Sequence, residues 1–309
     1  MSDAATTGVA AAPGDAAPKG AGPFSHFERL VAWRYLRSRR KETVVSVIAI
    51  ISFLGIMLGV ATLIVVMAVM NGFRAELLTR ILGVNGHLIV QPVDMPLNDF
   101  DAVAKRIEGV TGVKLAMPMV QGQVLVSGTS GAGTGAIVRG VRAEDLARLD
   151  LVSRNIRDGS MVNFAAGEGL VIGTRMAQNL GLSVGDMITL VAPEGDITPF
   201  GTTPRVKSYP VAATFEIGMS EYDSSVIYMP LEEAQLYFNA EGLVQSIELF
   251  VDNPDAVDTL RPAVEAAAQR PILLSDWRQR NSTFFSALQV ERNVMFMILN
   301  MIVLVARRF

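Results

Sequence analysis

The segment TVVSVIAIISFLGIMLGVATLIVVMAVMNGF, residues 43–73, holds no charged side chain. The hydrocarbon core of a bilayer takes about 20 helical residues, so this stretch crosses with length to spare. The surplus predicts a tilted helix or one that continues past the membrane surface. The competing reading, a helix buried in a soluble core, fits poorly with so long an uncharged run. The flanks orient the span. Arg34, Arg37, Arg39, Arg40 and Lys41 lie just before it, and the positive-inside rule then places the N-terminus in the cytoplasm and everything from about Arg74 onward outside.

Composition narrows the function. Half of the 309 residues are hydrophobic and mean hydropathy is +0.36, high for a soluble protein. Cysteine is absent, which excludes a disulfide framework, a thiolate zinc site and a cysteine nucleophile. Residues 1–42 carry seven Lys/Arg against four Asp/Glu, whereas residues 43–306 carry 18 against 26. A nucleic-acid binder concentrates positive charge on its main domain; here the main domain is acidic, so no nucleic acid is expected.

Working outward from the span, residues 1–25 are rich in Ala, Gly, Pro and Thr and read as a disordered cytoplasmic tail. They lack the basic start and apolar core of a signal peptide. Residues 26–42 place Phe27, Leu30, Val31 and Tyr35 at helical spacing among arginines, the pattern of a basic amphipathic helix in the headgroup plane. An ordinary surface helix is the plainer reading. Beyond the span, residues 74–285 show a weak internal repeat. Strand 87–91, helix 99–108 and strand 113–127 are echoed by strand 246–251, helix 254–269 and strand 271–274, with Asp252 and Asn253 as candidate caps. Two βαβ units around an insertion at about 130–230 predict an α+β domain: a split ferredoxin-like core with an inserted, mostly-β subdomain, anchored by transmembrane α-helices. A second apolar run, Val294–Ala306, meets Arg307-Arg308-Phe309. Its 13 residues make about 20 Å of helix against a core of about 30 Å, so residues 286–309 read as the start of a second span, cut short.

Chemistry is scarce. Gly128-Thr-Ser130-Gly-Ala132 approaches a nucleophile elbow but ends in Ala, and His87 is the one histidine outside to act as base; a Gly/Ser hairpin loop explains it better. Gly128–Gly140 lacks the Gly-Lys-Ser/Thr ending of a phosphate loop. Glu221 with Asp223, and Glu232 with Glu233, are possible carboxylate pairs, yet the second pair opens a predicted helix, where acids suit the macrodipole. No cluster has metal-ligand spacing, so neither catalytic nor metal residues are expected. Pro193–Pro210 is more informative. Strands 187–192 and 211–215 flank a long loop rich in Pro and Gly, which predicts a protruding hairpin with Phe200 near its tip. Prolines lower the entropy cost of docking and an exposed aromatic suits a binding anchor. A tolerated surface loop is the plain alternative.

Arg34-Tyr-Leu-Arg37, the span ending Val69-Met-Asn-Gly-Phe73, then Ile81-Leu-Gly83 and Leu288-Gln-Val-Glu-Arg-Asn-Val-Met-Phe296 resemble the permease subunits of the bacterial lipoprotein-releasing (Lol) ABC transporter, LolC/LolE type. Gly169-Leu-Val-Ile-Gly173 and Leu180-Gly-Leu-Ser-Val-Gly-Asp186 resemble the periplasmic domain shared with macrolide-exporter permeases. The resemblance covers residues 24–306. It implies an inner-membrane permease, not an enzyme, with no cofactor of its own because ATP is bound by a separate cytoplasmic ABC ATPase. The implied partners are that ATPase, a second permease copy or paralogue, a periplasmic carrier of the LolA type, and lipidated lipoproteins. It also implies that Pro199, Phe200, Gly201 and Pro204 form a carrier-gripping hairpin, with Lys207 just beyond as a charged contact. Thr62, Val65, Val66, Val69 and Met70, on the upper half of the span, would face acyl chains, where dispersion decides affinity; helix packing or lipid contact explains these five equally well. Family members have four spans, so the short second run implies a truncated chain. Two other readings stand beside this one: a macrolide-exporter-like or division-type permease, and a membrane-anchored periplasmic binding module.

Overall fold

The computed structural model describes residues 26–37, 43–129, 131–198 and 201–308. Helix α1 is His26–Arg37 and α2 is Thr43–Val84. Then follow β1 (Leu88–Pro92), α3 (Phe100–Glu108), β2 (Val113–Ser127), β3 (Gly133–Val141), α4 (Ala143–Arg148), α5 (Asp150–Ser153), β4 (Ile156–Gly159), α6 (Met161–Ala165), β5 (Leu170–Gly173) and α7 (Thr174–Leu180). The chain continues through β6 (Met187–Thr198), β7 (Gly201–Phe215), α8 (Ser220–Ser225), β8 (Val226–Pro230), α9 (Leu231–Tyr237) and β9 (Ser246–Val251). It ends with a 3-10 turn (Pro254–Ala256), α10 (Val257–Ala268), β10 (Ile272–Asp276), α11 (Trp277–Arg280) and α12 (Ser282–Arg308).

Two compact units result: residues 1–65 with 298–309, and residues 66–297. Helix α2 does not stop at Phe73. Its 42 residues run on to Val84, so the surplus length is a helical continuation. Val47–Val84 is long and apolar enough to cross a membrane and is hardly buried by protein, as lipid-facing surface should be. In the second run α12 is 27 residues long, because polar residues from Ser282 onward extend the helix ahead of the apolar part.

The domain of residues 66–297 is built on two sheet regions sharing one strand. The order β10-β1-β9-β2 is antiparallel at every step, with α3 linking β1 to β2 and α10 following β9. The 15-residue strand β2 then changes partners. Val113–Met119 pairs with β9, and Val120–Ser127 with β3. From there the pairings β2–β3, β3–β8, β8–β5, β5–β7, β7–β6 and β6–β2 return to their start. Six strands therefore close into a barrel-like ring, which leaves no exposed edge along the closed part. Strand alternation fills it: Val124 and Val126, Ala136 and Val138, Leu170 and Ile172, Ile188 and Leu190, Ile227 and Met229 all lie in one buried cluster. On β2 the opposite parity, Leu115, Met117 and Met119, joins a second cluster with Phe164, Phe215 and Tyr228.

One expectation needs refining and one needs correction. Strand dominates the insertion, as expected, but the short helices α4 to α8 interrupt it. Each has four to seven residues, too few for an apolar period of 3.6 to show. Pro193–Pro210, however, is not a long loop. Strands β6 and β7 run nearly to the tip, with Asp196↔Thr203, Ile197↔Thr202 and Thr198↔Gly201 in register. The prolines deceived the reading because Pro is tolerated on strands whose outer edge needs no ladder donor.

Candidate functional site

The β6–β7 ribbon is the feature of the domain best placed to meet another molecule. Up to Ala192↔Arg205 its strands belong to the barrel wall, where β6 pairs with β2 and β7 with β5. Past that row, residues 193–198 and 201–204 pair only with each other among the described residues. Of the predicted hairpin residues, Pro199 and Phe200 lie outside the described residues, Gly201 opens β7, and Pro204 is exposed. Lys207 lies two residues beyond Arg205, inside the wall, and is 51 % exposed on its side chain; its Nζ donates to Glu233 Oε1 at 2.6 Å and stands 5.0 Å over the Tyr209 ring.

The base of the ribbon rests on α9. Arg205 donates to the Leu236 and Tyr237 carbonyl oxygens and to Asn239 Oδ1, each at 2.7 Å. A cation at the carbonyl end of a helix is favoured by its dipole. Glu233 Oε1 also accepts from Tyr209 Oη at 2.7 Å, and burial together with this carboxylate drives the Tyr209 pKa well up. Burial likewise pushes Tyr237 up to about 12. Glu233 is thus more than a helix-start acid. Sequence reading missed Arg205 and Tyr237, since neither belongs to a motif.

Thr62, Val65, Val66, Val69 and Met70 all lie on α2. The spacing i, i+3, i+4, i+7 puts the first four on one face. Val65 and Val69 are 61 % and 66 % exposed, against 7 % for Leu63.

A second polar centre holds the end of α2. Arg139 Nη2 pairs with Glu248 Oε2 at 2.6 Å, both side chains nearly inaccessible. Arg139 Nη1 donates to the Val84 carbonyl oxygen at 3.0 Å, and Glu248 Oε2 accepts from the Gly86 amide at 3.0 Å. Burial, the largest single effect, would lower the Arg139 pKa, but the Glu248 carboxylate together with Tyr228 and Tyr222 outweighs it and the net shift is upward. His87 is not a base. Nδ1 accepts from the Val251 amide at 3.0 Å and Nε2 lies 3.1 Å from the Leu82 carbonyl oxygen, so the proton sits on Nε2; burial lowers its pKa. Asp223 is structural too, accepting from the amides of Ile217 and Gly218. Gly128 to Ala132 connects β2 to β3 as a hairpin loop, and Ser130 lies outside the described residues. Among the described residues no group of acids and histidines could hold a metal.

A membrane-capable helix leading into a sheet domain with a projecting ribbon defines the class, and residues 49–267 match the MacB-like periplasmic core domain. The lipoprotein-releasing system transmembrane protein LolC of Neisseria meningitidis is 30 % identical over 282 residues, covering 90 % of this chain and 68 % of that one. LolE of Haemophilus influenzae is 26 % identical over 281 residues, covering 89 % and 67 %. The periplasmic region of MacB from Actinobacillus actinomycetemcomitans aligns at 8 % identity with a TM-score of 0.42, over 65 % of this chain and 94 % of that one. The chain belongs to the family of lipoprotein-releasing-system transmembrane proteins and spans about two thirds of the length of these relatives.

Proposed function

We propose that the chain is the permease subunit of an ABC transporter that releases outer-membrane lipoproteins from the inner membrane to a soluble periplasmic carrier. The carrying observation is the β6–β7 ribbon. It leaves the closed barrel at Ala192↔Arg205 and continues as a free two-stranded ladder. The membrane-capable helix, the periplasmic domain match and the LolC and LolE relatives support the same reading. In it, the N-terminus is cytoplasmic, a separate cytoplasmic subunit hydrolyses ATP, and a second permease copy or paralogue completes the membrane part. Thr62, Val65, Val66, Val69 and Met70 offer an apolar face to acyl chains, and Pro199–Pro204 with Lys207 meets the carrier. The strand order β10-β1-β9-β2 with α3 and α10 supports a split ferredoxin-like core beneath the barrel.

The test is a titration of the chain in detergent with a purified LolA-type carrier. If Phe200 is an anchor, Phe200→Ala costs about 2 kcal/mol, roughly thirtyfold in affinity. Deletion of Ile197–Thr203 abolishes binding. Neither change moves the melting temperature, because among the described residues 193–198 and 201–204 pair only with each other. Unchanged affinity in both variants, with the wild type binding, rules out the ribbon as the docking element.

A further inference from the structure

We infer that α9 is a bracket that sets the direction of the ribbon, and that Arg205 and Tyr237 are its positioning residues; this rests on the ribbon being the docking element. A two-stranded ribbon on its own is marginal in water, and this one has a built-in point of bending. Its register shifts between Ala192 and Asp196, a bulge that bends and twists a strand. Within the bulge, a Cβ on Gly195 would come within 1.9 Å of the Thr203 carbonyl oxygen, so the strands cross there more closely than side chains allow. Left alone, such a ribbon would swing about the row Ala192↔Arg205.

The end of α9 grips Arg205, one member of that row. Tyr237 Oη donates to the Arg205 carbonyl oxygen at 3.3 Å. The Arg205 guanidinium reaches back to two carbonyls of the last turn of α9 and to Asn239. Two and four rows deeper, Lys207 and Tyr209 converge on Glu233 in the first turn of the same helix. The bracket is itself immobile. Ala234 packs so closely on β3 that a Cβ on Gly140 would sit 2.1 Å from its own, and Gln235 Nε2 donates to the Leu243 carbonyl oxygen at 2.8 Å. Four polar side chains (Arg205, Lys207, Glu233 and Asn239) and two tyrosines therefore join α9 to the short stretch where the ribbon leaves the wall. A ribbon held in its bound direction loses less freedom on docking, so the bracket contributes affinity without touching the partner.

The chain has no cysteine, so Thr203→Cys on the ribbon and Gln123→Cys on the wall take spin labels cleanly in the full chain. The distance distribution between them is narrow in the parent. Arg205→Met and Tyr237→Phe broaden it about twofold and weaken binding of the purified carrier about tenfold, with Arg205→Lys between parent and Met. Melting of the barrel stays in place for Tyr237→Phe, which removes a single oxygen; if Arg205→Met loosens the domain, the Phe variant decides alone. An unchanged width overturns the bracket, and so does a broadened width with unchanged affinity. If the parent does not bind the carrier at all, the docking reading fails, and the width by itself still judges the bracket.

Discussion

The exit of α2 and the root of the ribbon are both places where a long element leaves the sheets, and both are held by a cation–carboxylate pair. They differ in burial. At the α2 exit Arg139 and Glu248 have side chains only 4 % and 0 % exposed, whereas at the ribbon root Lys207 and Glu233 are 51 % and 21 % exposed. A buried pair is nearly immune to salt and punishes loss of either partner, because the survivor is left charged in a low dielectric. A half-exposed pair is screened and stabilises little. The charged pair at the helix exit is thus shielded like the core, while the Lys207–Glu233 pair at the ribbon root is open to screening by the solvent.

The sharpest way to break this contrast is Glu248→Ala. It strands Arg139 and should cost about 3–5 kcal/mol in denaturant unfolding of the domain. The double change Arg139→Met with Glu248→Leu should recover most of that loss, since an apolar pair of similar volume removes both desolvation costs. Equal destabilisation by the single and double variants would mean that the shape of the site, not its charge, matters.

A smaller effect sharpens the comparison at the same exit. His87 has its pKa lowered by burial, so the unfolded chain binds a proton there more readily than the folded one. Its contribution is complete above the unfolded pKa of about 6.5 and is lost as pH falls through the folded value. Melting followed from pH 8 downward should show this loss below about 6.5, and His87→Gln should remove that part of the slope. Persistence of the full slope in the variant would assign it to the carboxylates.

The smallest change is expected at the ribbon root. Glu233→Gln should alter domain stability by less than about 1 kcal/mol, and the difference from the parent should shrink further in high salt. A large, salt-independent cost would erase the distinction between the two sites.

Much of the region around the α2 exit was legible beforehand. Strand 246–251 was read with its observed ends, and Asn253 does cap the following turn, accepting from the Asp255 amide at 3.0 Å. The charged pair was not, although Glu248 stands in the middle of a fully buried strand. A lone acid on an apolar run signals a buried partner but does not say which of the chain's many arginines supplies it. The barrel escaped notice because closure depends on β6 finding β2, some sixty residues away, and no local pattern encodes that pairing.

Local chemistry, then, determined the uncharged stretch 43–73 as a membrane-capable helix, the two βαβ halves and the hairpin between residues 187 and 215, since hydrophobic period, charge and turn residues act over a few neighbours. Only the tertiary structure decided that the hairpin is strand almost to its tip, that six strands close, that α2 runs on to Val84 and ends on Arg139 and Glu248, and that α9 stands beneath the ribbon. The contacts that hold the end of α2 and the helix α9 join residues from 24 to 162 positions apart. Distance in sequence carries no energy until the chain is folded, when burial turns each pairing into a large term or a small one.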